Sequence, residues 1–562
     1  MGLSFQASNA IIYLSYGAML VSGVALAIHQ YRKSKGQQFL SSNGSTTGIP
    51  LALNFIASAM GCGVLTTYTQ IANIAGIQGL LVYVLAGAVP IVMFSFLGPL
   101  IRRRCPDGFV LTEWCNQRYG PIMGLCLSAA SVLTLYLFMV SELSAVGSAI
   151  NALTGLDQTA AIVVECVVTT IYTSMGGFAV SFVTDTFQAL FVLVVTVIGV
   201  IGYATEIHID DQLKHDTYKE MTGSNKLGWM VFYILNVAIL TNDMFMSGFW
   251  LRTFAAKTDK DLYIATGIAA FVTAVICTLV GIPGILAVWT GALTVSDPDG
   301  YMAFFILVAD MHKWIIGVVL IFSVCLSTCT FDSLQSAVTS TISNDIFRNK
   351  FPIIYSRIIV VIIMVPALVV AIECSANVLQ IYFIADLLSC AIVPIMFLGL
   401  SEHFFFLRGL DVIVGALGSL LAVFVFGTIY YGSAKEGGLL LLIWNGVYDP
   451  NDWGAFGAFV ITPFGGIVFG LLCAAVRISI IYLNCKRTGK EFHALDKPMT
   501  AAFGVINSTE SSIYESTSTT NVDIESDNSS TKKSLDGDED ANVDVREILR
   551  EFKWSDMLRL FV

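Results

Sequence analysis

The sequence predicts an all-α polytopic membrane protein of about thirteen transmembrane helices, and three observations carry that prediction. Of the 562 residues, 56% are hydrophobic and 13% charged, with a mean hydropathy of +0.75; soluble domains run at roughly 45–50% apolar. Apolar runs recur at the length needed to cross a hydrocarbon core of about 30 Å, which takes about 20 helical residues. Lys and Arg gather in every second loop, as the retention of positive charge on the cytoplasmic side requires.

In chain order the spans fall near 10–30, 50–70, 77–101, 121–149, 159–176, 181–206, 228–250, 262–290, 313–341, 354–373, 376–400, 410–431 and 455–484. The first has no basic residue before it and no small-x-small cleavage site after it, so it reads as a span and not a signal peptide. One set of loops holds Arg32, Lys33, Lys35, Arg102, Arg103, Arg104, Arg118, Arg252, Lys257, Lys260, Arg348, Lys350, Arg357, Arg408, Lys486, Arg487 and Lys490. The other set holds little beyond Lys214, Lys219, Lys226, Lys313 and Lys435. The N-terminus is therefore expected outside and the C-terminus in the cytoplasm, in a multi-pass protein of the plasma membrane.

The expected organisation is an N-terminal segment with the first helix and its cytoplasmic loop (1–49), a first five-helix unit (50–206) and an external loop (207–227). A second five-helix unit (228–400), two additional helices (401–484) and a cytoplasmic tail (485–562) follow. The tail, rich in Ser, Thr, Asp and Glu, cannot bury an apolar core and is expected to be largely disordered. Its final EILREFKWSDMLRLFV regains helical periodicity and is a candidate docking segment for the membrane face or for regulatory proteins. The twelve cysteines are scattered without a CxxC pair, and only Cys374 falls in an external loop, so no disulfide framework follows.

The span NFIASAMGCGVLTTY, residues 54–68, replaces bulky side chains with Ala, Ser, Gly and Thr. Gly61, Cys62 and Gly63 interrupt the helix, and non-helical backbone at membrane depth is tolerated only where it lines a cavity or is buried in protein. A second interrupted span carries ILTNDMFMSGFW, residues 239–250. The two lie five spans apart, hence in opposite orientations, as an inverted repeat of spans 2–6 and 7–11 requires. Paired broken helices of that kind point to a transporter's midplane site. The ninth span, CLSTCTFDSLQSAVTSTISNDIF (325–347), is lined with hydroxyls that offer oxygen ligands to a hard cation.

With these stretches in view, residues 10–484 resemble the sodium:solute symporter family, most closely its fungal urea and polyamine active permease branch. The resemblance rests on NFIASAMGCG with its downstream NIAGIQGLLVY, on GGFAVSFVTDTFQ, and on FWLRTFAAKTDKD followed by the STCTFDSLQ helix. It implies a five-plus-five inverted-repeat (LeuT-like) core with broken helices at spans 2 and 7. It implies a coupling-cation site made by the Ser327 and Thr328 hydroxyls, as sodium ligands, with the carbonyls of Val324, Ala57 and Met60. Asp185 takes the family's acidic position near the inner end of the cation route.

Within the spans stand Glu142, Glu165, Asp185, Asp243, Asp332 and Asp386, against essentially no Lys or Arg before Arg477. Such groups cost on the order of 2.5–3.5 kcal/mol each at a helix centre and are functional candidates by default. An acidic set without partners suits a cationic cargo. The candidate substrate contacts are Ser58, Gly61 and Gly63 at the first break, Asn242 and Asp243 at the second, and Glu142 and Asp386.

The expected function is a cation:solute symporter importing urea, spermidine or spermine by alternating access. Sodium or a proton serves as coupling ion, with no cofactor and no nucleic-acid partner. A nutrient sensor on the same fold is the alternative. An enzyme is not expected: the six histidines fall in or beside loops, and HExxH and GxSxG are absent.

Overall fold

In lipid every backbone polar group needs an internal partner, so apolar segments of this length become helices. The computed structural model describes residues 4–34, 43–106, 108, 110–347, 350, 352–373 and 377–497. Cys374, the terminal candidate docking segment and the acidic stretch beyond residue 497 lie outside the described residues. The helices run in the order α1 (Phe5–Ser34), α2 (Gly48–Ala59), α3 (Gly63–Arg104), α4 (Leu111–Tyr119), α5 (Pro121–Thr154) and α6 (Gln158–Glu206). Next come α7 (Asp211–Thr222), α8 (Lys226–Phe245), α9 (Ser247–Ala255), α10 (Asp259–Gly281), α11 (Pro283–Trp289), α12 (Ala303–Ala309) and α13 (Lys313–Ser340). The chain finishes with α14 (Ile353–Glu373), α15 (Val378–Leu398), α16 (Gly409–Tyr431), α17 (Ala434–Leu440) and α18 (Gly454–Thr488).

Twelve segments among the described residues are long and apolar enough to cross a membrane, with α6 contributing two, Gln158–Met175 and Val180–Glu206. The difference from thirteen lies at 50–70. There α2 has only 12 residues, and the helical stretch after the break is joined to the next span as the 42-residue α3. Within α3 the chain turns at Gly76, whose φ of 62° and ψ of −155° belong to a region essentially reserved for glycine.

α13 is the central helix: every side chain from Phe322 to Ser340 is buried. α6 and α5 pack against it, and α1 covers α6 and α13 from the outside. α3 and α10 pack together, with α2 against α10 and α6 and with α8 against α3. α15 bridges α5 and α8 to the α16–α18 pair. In that pair the backbones of Gly415, Gly466 and Gly470 meet, leaving no room for a Cβ, as small residues allow in membrane helices. Asp411 and Arg477, both buried, pair there at 2.7 Å.

The basic loops meet at one end of the bundle. Arg102 donates to Ala256 O (2.9 Å), Arg103 reaches Asp259 (3.3 Å), and Arg104 donates to Leu400 O (2.7 Å). Arg118 is buried under the carbonyls of Phe404 (2.9 Å) and Leu407 (3.0 Å). The opposite end is tied by amides: Asn73 donates to Thr294 O (3.0 Å) and accepts from Asp297 N (2.9 Å), and Gln78 accepts from Asn225 N (2.8 Å).

A Cβ at Gly76 would run into the Met221 backbone as well as face a forbidden dihedral. Gly76→Ala is expected to cost about 1–3 kcal/mol from backbone strain alone. It should lower the melting temperature of the purified protein in detergent and its surface level; an unchanged melting curve would show that the turn at this position is not constrained.

Candidate functional site

The two interruptions face one cavity. α2 ends at Ala59, Met60 leaves the helix with φ −120° and ψ 90°, and α3 restarts at Gly63. The amide of Cys62, freed by the break, donates to the Glu142 carboxyl group of α5 at 2.8 Å, at the N-terminus of the following helix, where the helix dipole favours negative charge. Tyr382 of α15 donates to the other oxygen of Glu142 at 2.8 Å. A side chain on Gly61 would overlap the Glu142 carboxyl, and one on Gly63 the Tyr382 hydroxyl; the glycines are there because of this close approach. At the second interruption α8 and α9 are separated by Met246 alone, and Trp250 Nε1 occupies the freed carbonyl of Met244 at 2.8 Å.

Between the breaks lies a cavity that offers the centres of water-sized molecules about 130 Å³. Ser58, Gly61, Glu142, Asn242, Asp243 and Asp386 all line it, and Gly63 stands just behind, against Glu142 and Tyr382. Five aromatic rings complete the wall: Tyr68, Tyr83, Phe138, Phe249 and Tyr382. Tyr68 stacks on Tyr83 with centroids 3.9 Å apart, and Phe138 tilts against Tyr382 at 4.7 Å. Among the described residues the lining contains three carboxyl groups and no Lys, Arg or His. The carboxyls of Asp243 and Asp386 have no protein hydrogen-bond partner among the described residues, and the Asn242 Oδ1 is likewise unpaired. The rings could not be singled out in the sequence, because aromatic residues in apolar spans most often face lipid or core.

The model of the sodium:solute symporter family matches residues 39–404. The chain belongs to this family. Over 499 residues it is 60% identical to a Candida albicans protein named Spermidine transporter DUR31, a match covering 89% of this chain and 95% of the relative. The Urea active transporter of Saccharomyces cerevisiae is 22% identical over 324 residues, 53% of this chain and 44% of that protein. A Na+-coupled sialic acid symporter, solved substrate-bound and outward-open, superposes with a TM-score of 0.63 at 14% identity, covering 84% of this chain and 97% of that one. A nucleobase-cation-symport-1 family transporter, closed with bromovinylhydantoin bound, gives 0.51 at 13% identity over 78% and 95% of the two chains. At such identities the likeness speaks for the fold, which is the all-α fold of symporters. This sodium:solute symporter is a transporter and not an enzyme.

The oxygens that the family resemblance assigns to the cation lie where α2 ends against α13. Ala57 O accepts from Met60 N (3.4 Å), and Met60 O accepts from Thr330 Oγ1 (3.1 Å). Val324 O accepts from Thr328 Oγ1 (2.6 Å), and Ser327 Oγ makes a long contact of 3.5 Å to Glu142 O. Ser327 and Thr328 are fully buried. A hydroxyl that donates keeps its lone pairs, so these side chains fit a cation that prefers oxygen. Thr330, not Thr328, is the hydroxyl that ties the broken end of α2 to α13.

One expectation is overturned: the spans are not free of basic partners. Arg252 is 1% exposed and pairs with the equally buried Asp185 at 2.6 Å. The sequence placed Arg252 in a cytoplasmic loop, but α9, the second half of a broken stretch, carries it back into the protein. It also donates to Asn54 O (3.2 Å), Gly248 O (2.9 Å) and Ser333 Oγ (3.1 Å), while Cys329 and Ser333 donate to Asp185. Asp185 therefore joins α6, α9 and α13, and its charge is already matched. Asp332 also turns to a neighbouring helix and not to the cavity, accepting from Tyr172 (2.8 Å), Ser181 (2.9 Å) and Thr184 (3.3 Å), all on α6.

Breaking one half of a buried pair costs about 3–5 kcal/mol, whereas replacing both halves by apolar groups is often near neutral. Arg252→Ala should accordingly destabilise the protein strongly in a detergent melting assay. Arg252→Met combined with Asp185→Leu should recover most of that loss. Equal destabilisation by the single and double variants would argue that the two charges do not act as a pair.

Proposed function

We propose that this symporter imports a polyamine, spermidine or spermine, across the plasma membrane by alternating access, with the N-terminus outside and the C-terminus in the cytoplasm. The observation that carries the reading is the cavity wall: three carboxylates, five aromatic rings and no basic side chain. A polyamine is a string of ammonium groups on an apolar methylene chain. Its charges would offset carboxylates that each cost on the order of 2.5–3.5 kcal/mol at membrane depth. Aromatic faces add about 0.5–2 kcal/mol per well-placed cation. Neutral urea needs none of this charge, although urea transporters are among the relatives. The 60% identical relative named as a spermidine transporter supports the same cargo.

The driving cation in this reading is sodium, held by the carbonyls of Ala57, Met60 and Val324 with the hydroxyls of Ser327 and Thr328. A bound ion there would join the end of α2 to α13 and so favour the arrangement of the break that faces the cargo. For a proton in place of sodium, the carriers would be buried carboxyls. Asp185, latched to Arg252, would act on coupling through the position of α9.

The test is uptake of labelled spermidine and labelled urea in cells lacking their own carriers, with sodium and pH varied independently. Concentrative spermidine uptake is expected; urea uptake alone would return the cavity carboxylates to coupling or structure, and no uptake by surface-expressed protein would favour a sensor. Asp243→Asn removes one charge contact, worth about 1.5–3 kcal/mol, and should raise the KM for spermidine roughly tenfold or more while sparing any neutral cargo. Ser327→Ala with Thr328→Ala should lower cation-driven uptake much more than surface expression. Unchanged uptake at every sodium concentration and pH would remove the cation-site assignment.

A further inference from the structure

Two of the cavity's carboxyls accept nothing from the protein, and they stand close together across one helix seam. Asp243 lies on α8, three residues before the second interruption at Met246, and Asp386 lies on α15. The two helices are tied beside them: Thr241 Oγ1 meets Ser389 Oγ at 3.3 Å and Cys390 Sγ at 2.9 Å. Ser389 follows Asp386 by three residues and so shares its helix face. Asp386 is within electrostatic range of Asp243, and Tyr83 is within range of both. Neither carboxyl has a hydrogen-bond donor among the described residues, although Asp386 is only 4% exposed. Asn242, 2% exposed and in the same lining, keeps an unpaired Oδ1. Glu142 differs, because its two oxygens are taken by the Cys62 amide and the Tyr382 hydroxyl.

We propose that Asp243 and Asp386 form one seat for a primary ammonium group, with Asn242 Oδ1 as its third acceptor, so that the cargo is recognised by an unsubstituted amino end. The naming of a polyamine end as the occupant rests on the reading above; the chemistry of the seat does not. A primary ammonium carries three N–H donors and no acceptor, as lysine does. The seat offers three acceptor groups that lack a donor, and hydrogen bonds between charged partners are the strong ones. A secondary ammonium has two N–H donors and a quaternary one has none, so each substituent on nitrogen leaves another buried acceptor unmet. The inner nitrogen of spermidine is therefore the poorer occupant. The stacked Tyr68 and Tyr83 line the same cavity and suit the methylene chain that follows the ammonium. Two of the acceptors come from α8 and one from α15, so an occupied seat joins α15 to the helix that runs into the second break.

The experiment uses the full chain, purified in sodium-free detergent buffer, with n-butylammonium as a probe that has a single nitrogen. Binding, read as a saturable rise in melting temperature, is expected for n-butylammonium. Its N,N,N-trimethyl form, which keeps the charge and loses all three donors, should bind roughly tenfold or more weakly. Equal binding of the two, or no binding of n-butylammonium, overturns the proposal. Asp243→Asn and Asp386→Asn should each weaken n-butylammonium roughly tenfold or more and shrink its advantage over the trimethyl form. Because the probe has one nitrogen, weakening by only one of the two variants means that the carboxyls do not share it and overturns the seat. A rise of the same size with sodium alone, lost in both variants, assigns the carboxyls to an inorganic cation and also overturns it. Where a variant does not fold, the two probes on the unmutated chain still decide. If vesicles take up labelled spermidine and n-butylammonium does not compete, the seat is wrong and the cargo reading stands. If n-butylammonium binds through both carboxyls while no spermidine is moved, the cargo reading fails and the seat stands.

Discussion

The carboxylate of Glu142 on the freed amide of Cys62 is the contact on which the cavity depends. A bilayer core supplies no water to broken backbone, so a helix can be interrupted there only if the protein provides the missing partners. Glu142 does this for the restart of α3, and Thr330 does it for the carbonyl of Met60 at the end of α2. Trp250 serves the second interruption in the same way through Met244 O. Each partner comes from another helix or from across the break. The breaks therefore exist only in the assembled bundle, and a change in helix packing is felt directly by the backbone that lines the site.

Charge inside the membrane is handled in two ways, and the division separates scaffold from site. Asp185 with Arg252 and Asp411 with Arg477 are buried pairs held by further hydrogen bonds. They lock helices together and have little left to offer a ligand. Among the described residues, Glu142, Asp243 and Asp386 share one water-accessible space with no basic side chain in its lining. Unmatched charge is costly to keep at membrane depth, which sets these groups apart from the closed pairs.

The family relationship and the geometry speak to different questions. Membership of the sodium:solute symporters accounts for the all-α fold and for transport by coupling. It does not by itself distinguish a polyamine from urea, since relatives named for both match this chain. The aromatic and acidic wall is a property of this chain's own side chains, and it is on this wall that the proposed polyamine cargo rests.

The sequence by itself determined the features that depend on near neighbours. Apolar length set the helices, Gly61 and Gly63 beside Ser58 marked a helix that would not run through, and the basic residues marked the loops that gather at one end. It also named the acidic residues that line the cavity, because a carboxylate in an apolar run is conspicuous wherever it points. Which of those carboxylates is neutralised was decided only by the tertiary structure. Arg252 lies 67 residues from Asp185 and looks like an ordinary loop cation until α9 folds back into the bundle. The same holds for the tyrosines and phenylalanines of the wall, which are indistinguishable in sequence from rings that face lipid. Local pattern reports how much a segment costs to bury; whether that cost is met, and by which group, depends on helices that meet only when the bundle closes.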